Sequence, residues 1–150
     1  WKSRRARSGP TPSPMLSTSF LVDTNILSEL VRKRPDPGVL QWAQEVRTVA
    51  ISAATVEEVY FGLSWKPNPR IRLWFEGFLE TNCEVLPVTA GISKRSGEIR
   101  GQLQARGQTR SSADMIIAGT AQEYQLTLVT RNVRDFEDCG VPLLNPFRQP

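Results

Sequence analysis

Short apolar runs alternate with stretches of helical spacing along this chain. SFLVD at residues 19–23 is an apolar run ending in an acid, the pattern of a buried parallel strand. Thr24–Arg32 follows as a helix, with Ile26, Leu27, Leu30 and Val31 on one face, and Arg34 to Gly38 (RPDPG) breaks it. Val39–Val46 predicts a second short helix, anchored by Leu40, Trp42 and Ala43. TVAIS at 48–52 reads as a second strand, and Thr55–Leu63 as a helix packed through Val56, Val59, Tyr60 and Leu63. After the KPNP loop at 66–69, Ile71–Thr81 is amphipathic. EVLPV at 84–88 is a third strand, whose Pro87 points to a sheet edge or a strand end.

The second half continues the alternation. Thr89–Arg106 predicts a long helix buried along Ile92, Ser96, Ile99 and Leu103. RGQTRSS at 106–112 is a polar loop, and Ser112–Tyr124 a helix packed through Met115, Ile116, Ala118 and Ala121. LTLVT at 126–130 is a fourth strand and residues 141–144 a fifth. Strands that alternate with helices argue for an α/β fold: a three-layer α/β/α sandwich around a mainly parallel sheet of about five strands. There is no internal repeat, and the pattern fits a single domain over residues 19–147. In such folds the functional crevice lies beyond the carboxyl ends of the strands.

Composition changes this picture in two places. The net charge is +4, but Lys2, Arg4, Arg5 and Arg7 sit in a segment without acids; without them 15 basic residues face 15 acidic ones. The body is neutral, so overall charge is weak evidence for nucleic-acid binding by the fold. Residues 1–18 are expected to be a disordered basic tail, rich in Arg, Ser and Pro up to Pro14. Its plainest reading is sequence upstream of a start at Met15; the alternative is a basic arm that touches nucleic acid. No apolar stretch follows the arginines, which argues against a secretion signal, and no run reaches the roughly 20 apolar residues of a membrane span. Cys83 and Cys139 lack metal-site or redox spacing and are expected to be free thiols in a bacterial cytoplasm.

Four acids stand at junctions between apolar runs and helical patterns: Asp23 in FLVDTNILSEL, Glu58 in TVEEVYFGL, Asp114 in SSADMIIAGTA and Asp135 in LVTRNVRDFE. Taken singly, each has a dull explanation. Acids accept bonds from orphan N–H groups at helix starts and complement the dipole, and Thr55 with Glu58 has capping-box spacing. Taken together, acids that follow strands sharing one sheet edge repel one another and need a counterion. A hard divalent cation, Mg²⁺ or Mn²⁺, meets that need through oxygen ligands. The chain has no histidine, so carboxylates with a metal are its most available route to hydrolysis of a phosphodiester, by activation of a water.

At these residues the chain resembles the PIN-domain ribonucleases of the VapC or FitB type. Four blocks carry the resemblance in the family's order, from about Ser19 to Phe147: LVDTNILSEL, ISAATVEEVYFGL, SSADMIIAGTA and LVTRNVRDFE. The second block selects Glu58 over Glu57. The last departs from many relatives, because Asn132 stands where they carry an acid; Asp135, one turn on, is the available fourth acid. The resemblance implies a Mg²⁺-dependent (or Mn²⁺-dependent) endoribonuclease acting on structured RNA. It also implies a toxin that forms a homodimer and is held by a cognate small antitoxin, through which the complex reaches DNA.

The expected roles follow. Asp23 and Asp114 are direct metal ligands, Glu58 binds the metal through water or orients the attacking water, and Asp135 completes the negative pocket, acting through water on a second metal or only capping its helix. Asn25, Thr130, Arg131 and Asn132 are expected substrate or ligand-orienting residues. Lys94, Arg95, Arg100, Arg106, Arg110, Arg131 and Arg134 are candidates to hold the RNA backbone, against an ordinary solvated face. Trp42, Tyr60, Trp65, Trp74, Phe75 and Phe78 divide between core and a groove for a partner segment. The acids do not distinguish RNA from DNA, and a DNA nuclease of the same fold stays open. So do a hydrolase with an aspartate nucleophile, although its usual D-x-D is absent, and a non-catalytic partner in a DNA-binding repressor complex.

Overall fold

The computed structural model describes residue 16 and residues 18–148. The expected tail at 1–18 therefore lies almost wholly outside the described residues. Within them, five strands form one parallel sheet: β1 (Phe20–Val22), β2 (Val49–Ser52), β3 (Cys83–Leu86), β4 (Thr127–Val129) and β5 (Leu143–Leu144). The strand order is β3-β2-β1-β4-β5. Register pairs Leu21 with Ala50 on one side and with Leu128 on the other. Helices α1 (Thr24–Leu30), α2 (Pro37–Val46), α3 (Ala53–Trp65), α4 (Pro69–Thr81), α5 (Ala90–Ala105) and α6 (Ser112–Tyr124) connect and cover the strands. A short 3-10 turn, Val133–Phe136, lies between β4 and β5. The expected α/β/α sandwich is the fold observed.

Alternation along the strands divides the core in two, because neighbouring strand residues point to opposite faces. Leu21 and Leu128 pack with Ile99, Leu103, Met115 and Ala118 on the side of α5 and α6. Val22, Ile51 and Val129 pack with Ile26, Val39 and Phe75 on the side of α1, α2 and α4. The order reverses between β1 and β4, since β2 and β3 build outward one way and β5 the other. This switch opens a crevice at the carboxyl ends of the two central strands.

Local signals explain most element limits. β3 lies at the sheet edge and ends at Leu86, one residue before Pro87. α2 starts at Pro37, two residues before the expected start, because Asp36 Oδ1 accepts from Gly38 N at 2.8 Å and Val39 N at 3.2 Å. α4 likewise starts at Pro69, capped by Asn68. Proline at a first helical position sacrifices no hydrogen bond, so both prolines begin helices. α3 begins at Ala53, and its cap is Ser52, whose Oγ accepts from Ala54 N at 3.0 Å. The expected Thr55–Glu58 capping box is therefore absent: Thr55 is inside the helix, buried, with an unpartnered hydroxyl. In α6, Ile117 is buried where Ile116 was expected. This helix is enclosed along most of its surface, and periodicity does not select a face there.

The aromatic residues divide as expected in kind. Trp42, Tyr60, Trp74, Phe75 and Phe78 pack on the second core, whereas Trp65 and Phe61 are mostly exposed. Leu27, Val31, Val59, Ile71, Trp74 and Phe75 line an apolar groove of about 220 Å³.

α5 and α6 pack closely at Gly119. A methyl group there would stand 2.2 Å from Ser96 Oγ, which already donates to Ile92 O at 2.7 Å. Gly101 on α5 has open space around it. Gly119→Ala should lower stability by about 1–3 kcal/mol through overpacking, despite the better helix propensity of alanine. Gly101→Ala should raise stability by up to about 1 kcal/mol. Paired urea melts check the opposite signs; equal shifts would contradict the close helix contact.

Candidate active site

The site begins where β1 ends. Asp23 continues the β1–β4 ladder through its own N–H to Val129 O at 3.0 Å. Its side chain caps α1, Oδ1 accepting from Thr24 N at 2.8 Å. The other oxygen is held across the strand boundary: Oδ2 accepts from Thr130 Oγ1 at 2.9 Å and from Asn25 Nδ2 at 3.2 Å. Thr130 Oγ1 in turn accepts from Asn132 N at 3.0 Å and lies 3.3 Å from Asn25 Nδ2. Asn25 Oδ1 accepts from Arg131 N at 3.1 Å. Every polar atom of Asn25 and Thr130 side chains is thus engaged with Asp23 or the adjoining backbone.

Of the two roles expected of Thr130, the geometry bears on the ligand-orienting one: Thr130 is fully buried and clasps Asp23 Oδ2 through its hydroxyl. Asn25 serves the same clasp. Arg131 and Asn132 are exposed at the rim, and the Arg131 guanidinium lies 4.5 Å from the centre of the Phe147 ring.

Glu58 projects from α3, well past its cap, and one oxygen accepts a short hydrogen bond from Thr24 Oγ1. Thr24 therefore separates Glu58 from Glu57. Asp114 lies in the first turn of α6, where Ser111 Oγ caps the helix by accepting from Asp114 N at 3.1 Å. The Asp114 carboxylate is left free of capping. Asp135 sits on the 3-10 turn after β4, whose cap residue Asn132 makes no side-chain bond. Capping by a side-chain hydrogen bond thus accounts for one oxygen of Asp23, while Asp114 and Asp135 lie in first turns, where an acid complements the helix dipole.

The charges of the other three acids all reach Asp114. Burial pushes Asp114 above the ordinary carboxylate value, and the negative charges of Asp23, Asp135 and Glu58 push it further, against a Ser111 hydrogen bond that lowers it. Asp23 is also raised, by burial first and by Glu58, with the bonds from Thr130, Thr24 and Asn25 opposing. Among the described residues, none of the four acids is in an ion pair. Arg95 pairs with Glu123 at 3.2 Å, near the far end of α6 from Asp114, and Arg110 donates to the backbone carbonyls of Asp135 and Glu137 and not to a carboxylate of the pocket.

An oxygen-only, negatively charged and uncompensated donor set suits a hard divalent cation. Among the described residues no three acidic or thiol side chains form a ready-made cage. A Mg²⁺-type ion takes one or two carboxylates and keeps several waters, so Asp23 and Asp114 fit it without such a cage. Cys83 and Cys139 are both free. Thr24, Ser111 and Arg110 are supports that the sequence reading did not single out for the site. Ser111 was legible from its S-x-x-D spacing with Asp114; the other two reach partners distant in sequence.

Comparison with known proteins supports the geometry. The family model for the PIN domain matches residues 20–141. A VapC ribonuclease, Y4jK, of Sinorhizobium fredii is 36% identical over 138 residues, spanning 85% of this chain and 97% of that protein. The crystal structure of FitAcB from Neisseria gonorrhoeae superimposes with a TM-score of 0.74 at 29% identity, covering 85% of this chain and 97% of its own. DNA-bound VapBC from Salmonella typhimurium gives 0.75 at 28% identity, covering 84% and 96%. These matches establish that the chain belongs to the PIN-domain family, among members of the VapC and FitB type.

Proposed function

We propose that this protein is a divalent-metal-dependent endoribonuclease and the toxin half of a toxin–antitoxin pair. The observation that carries the reading is the nearness of Asp23, Glu58 and Asp135 to Asp114, whose carboxylate feels all three charges, with none of the four acids in an ion pair among the described residues. The ribonuclease reading draws support from the name of the VapC relative. The partners in this reading are a cognate small antitoxin, a second copy of the chain, and DNA reached only through the antitoxin; the similarity to FitAcB and to DNA-bound VapBC supports a complex that meets DNA.

Asp23 and Asp114 would hold the cation, Mg²⁺ or Mn²⁺. When bound, such an ion makes water more acidic and stabilises charge on phosphate oxygens. The remaining work belongs to the chain. Thr130 and Asn25 fix the orientation of Asp23, so little reorganisation accompanies reaction. Glu58, with one oxygen occupied by Thr24, turns the other toward the attacking water and accepts its hydrogen bond. Asp135 adds charge at the edge of the pocket. Arg131, beside the Asp23 clasp, is placed to meet the RNA backbone.

Asp23→Asn should abolish RNA cleavage while the circular dichroism spectrum stays that of wild type, and EDTA should do the same to the wild type. Thr130→Val, which loosens the clasp alone, should lose about 10–100-fold. Gel assays of RNA decay read all three. Full activity of Asp23→Asn, or of the wild type in EDTA, contradicts the mechanism.

Metal-free stability gives a second check. Asp114 takes up a proton more readily in the folded chain than in the unfolded one, whose carboxyl keeps the ordinary value of 3.8. Between these two values the folded chain binds more protons. Its stability therefore falls as pH rises through that window and stays lower above it. In EDTA at pH 7, Asp114→Asn should melt at a higher temperature than wild type, and the gap should close below the ordinary carboxylate value. Scanning calorimetry at both pH values reads it; a lower melting temperature for the variant at pH 7 contradicts a repulsive pocket.

A further inference from the structure

Arg110 stands in the polar loop before α6, where a cation would ordinarily face solvent or a phosphate. Its contacts are different. Nη1 donates to the backbone carbonyls of Asp135 and Glu137, both at 2.9 Å, and lies 3.9 Å from Cys139 Sγ. Nη2 reaches Gln108 Oε1 at 3.4 Å. Its own carbonyl accepts from Arg100 Nε at 3.3 Å.

The segment it grips is weakly built. A four-residue 3-10 turn has poor hydrogen-bond geometry, and its cap residue contributes no side-chain bond. On the apolar side Phe136 anchors it in the core. On the polar side the exposed Asp135 and Glu137 carbonyls take protein donors in place of water. Arg110 supplies both from one nitrogen. It also directly precedes Ser111, the cap that seats Asp114. One side chain therefore ties the turn bearing Asp135 to the start of the helix bearing Asp114.

We propose that Arg110 is a positioning residue that clamps the Asp135 turn to the start of α6, setting the fourth carboxylate against the other three. It replaces the expectation that Arg110 holds RNA backbone. The assignment rests on the metal site proposed above and adds the reason that Asp135 belongs to it.

Calorimetric titration of Mn²⁺ alone tests it, using wild type, Arg110→Met, Asp135→Asn and the double variant, each with its circular dichroism recorded. Methionine keeps an unbranched stem but removes every donor. Each single variant should bind Mn²⁺ about tenfold more weakly, and the double variant no more weakly than Asp135→Asn. Arg110→Lys, whose ammonium can donate to both carbonyls, should recover most of the loss. In EDTA, the salt dependence of RNA binding should be the same for Arg110→Met and wild type.

Unchanged Mn²⁺ affinity in Arg110→Met, additive losses in the double variant, or a shallower salt slope that reports a lost phosphate contact would each overturn the assignment. Should Arg110→Met not fold, Arg110→Gln, whose shorter side chain cannot span both carbonyls, takes its place: a loss absent on the Asp135→Asn background supports the clamp, and an additive loss overturns it. Absence of Mn²⁺ binding by the wild type would instead overturn the metal site itself.

Discussion

The hydrogen bonds that tie the end of β1 to the end of β4 are the constraint on which the site depends. The two parallel strands are neighbours at the point where the strand order reverses. Asp23 crosses that boundary twice, by its backbone to Val129 and by Oδ2 to Thr130. Asn25 adds a third link, from its side chain to Arg131 N. A carboxylate on a flexible loop would turn away from three others. This one is held at both oxygens, with the apolar pairs Leu21–Leu128 and Val22–Val129 fixing the register beneath it.

The arrangement costs stability. Asp23 and Asp114 are held where both burial and their acidic neighbours disfavour the charged form. Folding tolerates this because the scaffold is set elsewhere: two apolar cores on opposite sheet faces and the close α5–α6 contact at Gly119. Among the described residues, no cation forms an ion pair with any of the four acids. The pocket therefore keeps its negative charge, the condition under which an external cation gains most by binding.

Much of this was legible in the chain. Apolar runs against helical spacing gave every strand and helix, because a doubly covered parallel sheet demands continuous apolar strands. The element starts were less legible. Ser52 is the last residue of β2 and the cap of α3 at once, and the T-x-x-E spacing of Thr55 and Glu58 imitates a cap that burial of Thr55 rules out. The four acids were visible, and their convergence followed from topology. The roles of Thr130, Asn25 and Arg110 were not. Each depends on which atom a side chain meets about 25 or more residues away. A threonine after a strand and an arginine in a polar loop look the same whether they face substrate or their own backbone.

The measurement closest to the central claim is anomalous diffraction from crystals soaked in Mn²⁺. A peak bridging the Asp23 and Asp114 carboxylates, with Glu58 and Asp135 around it, is the predicted result. Mn²⁺ bound elsewhere while these two carboxylates stay bare would contradict the account.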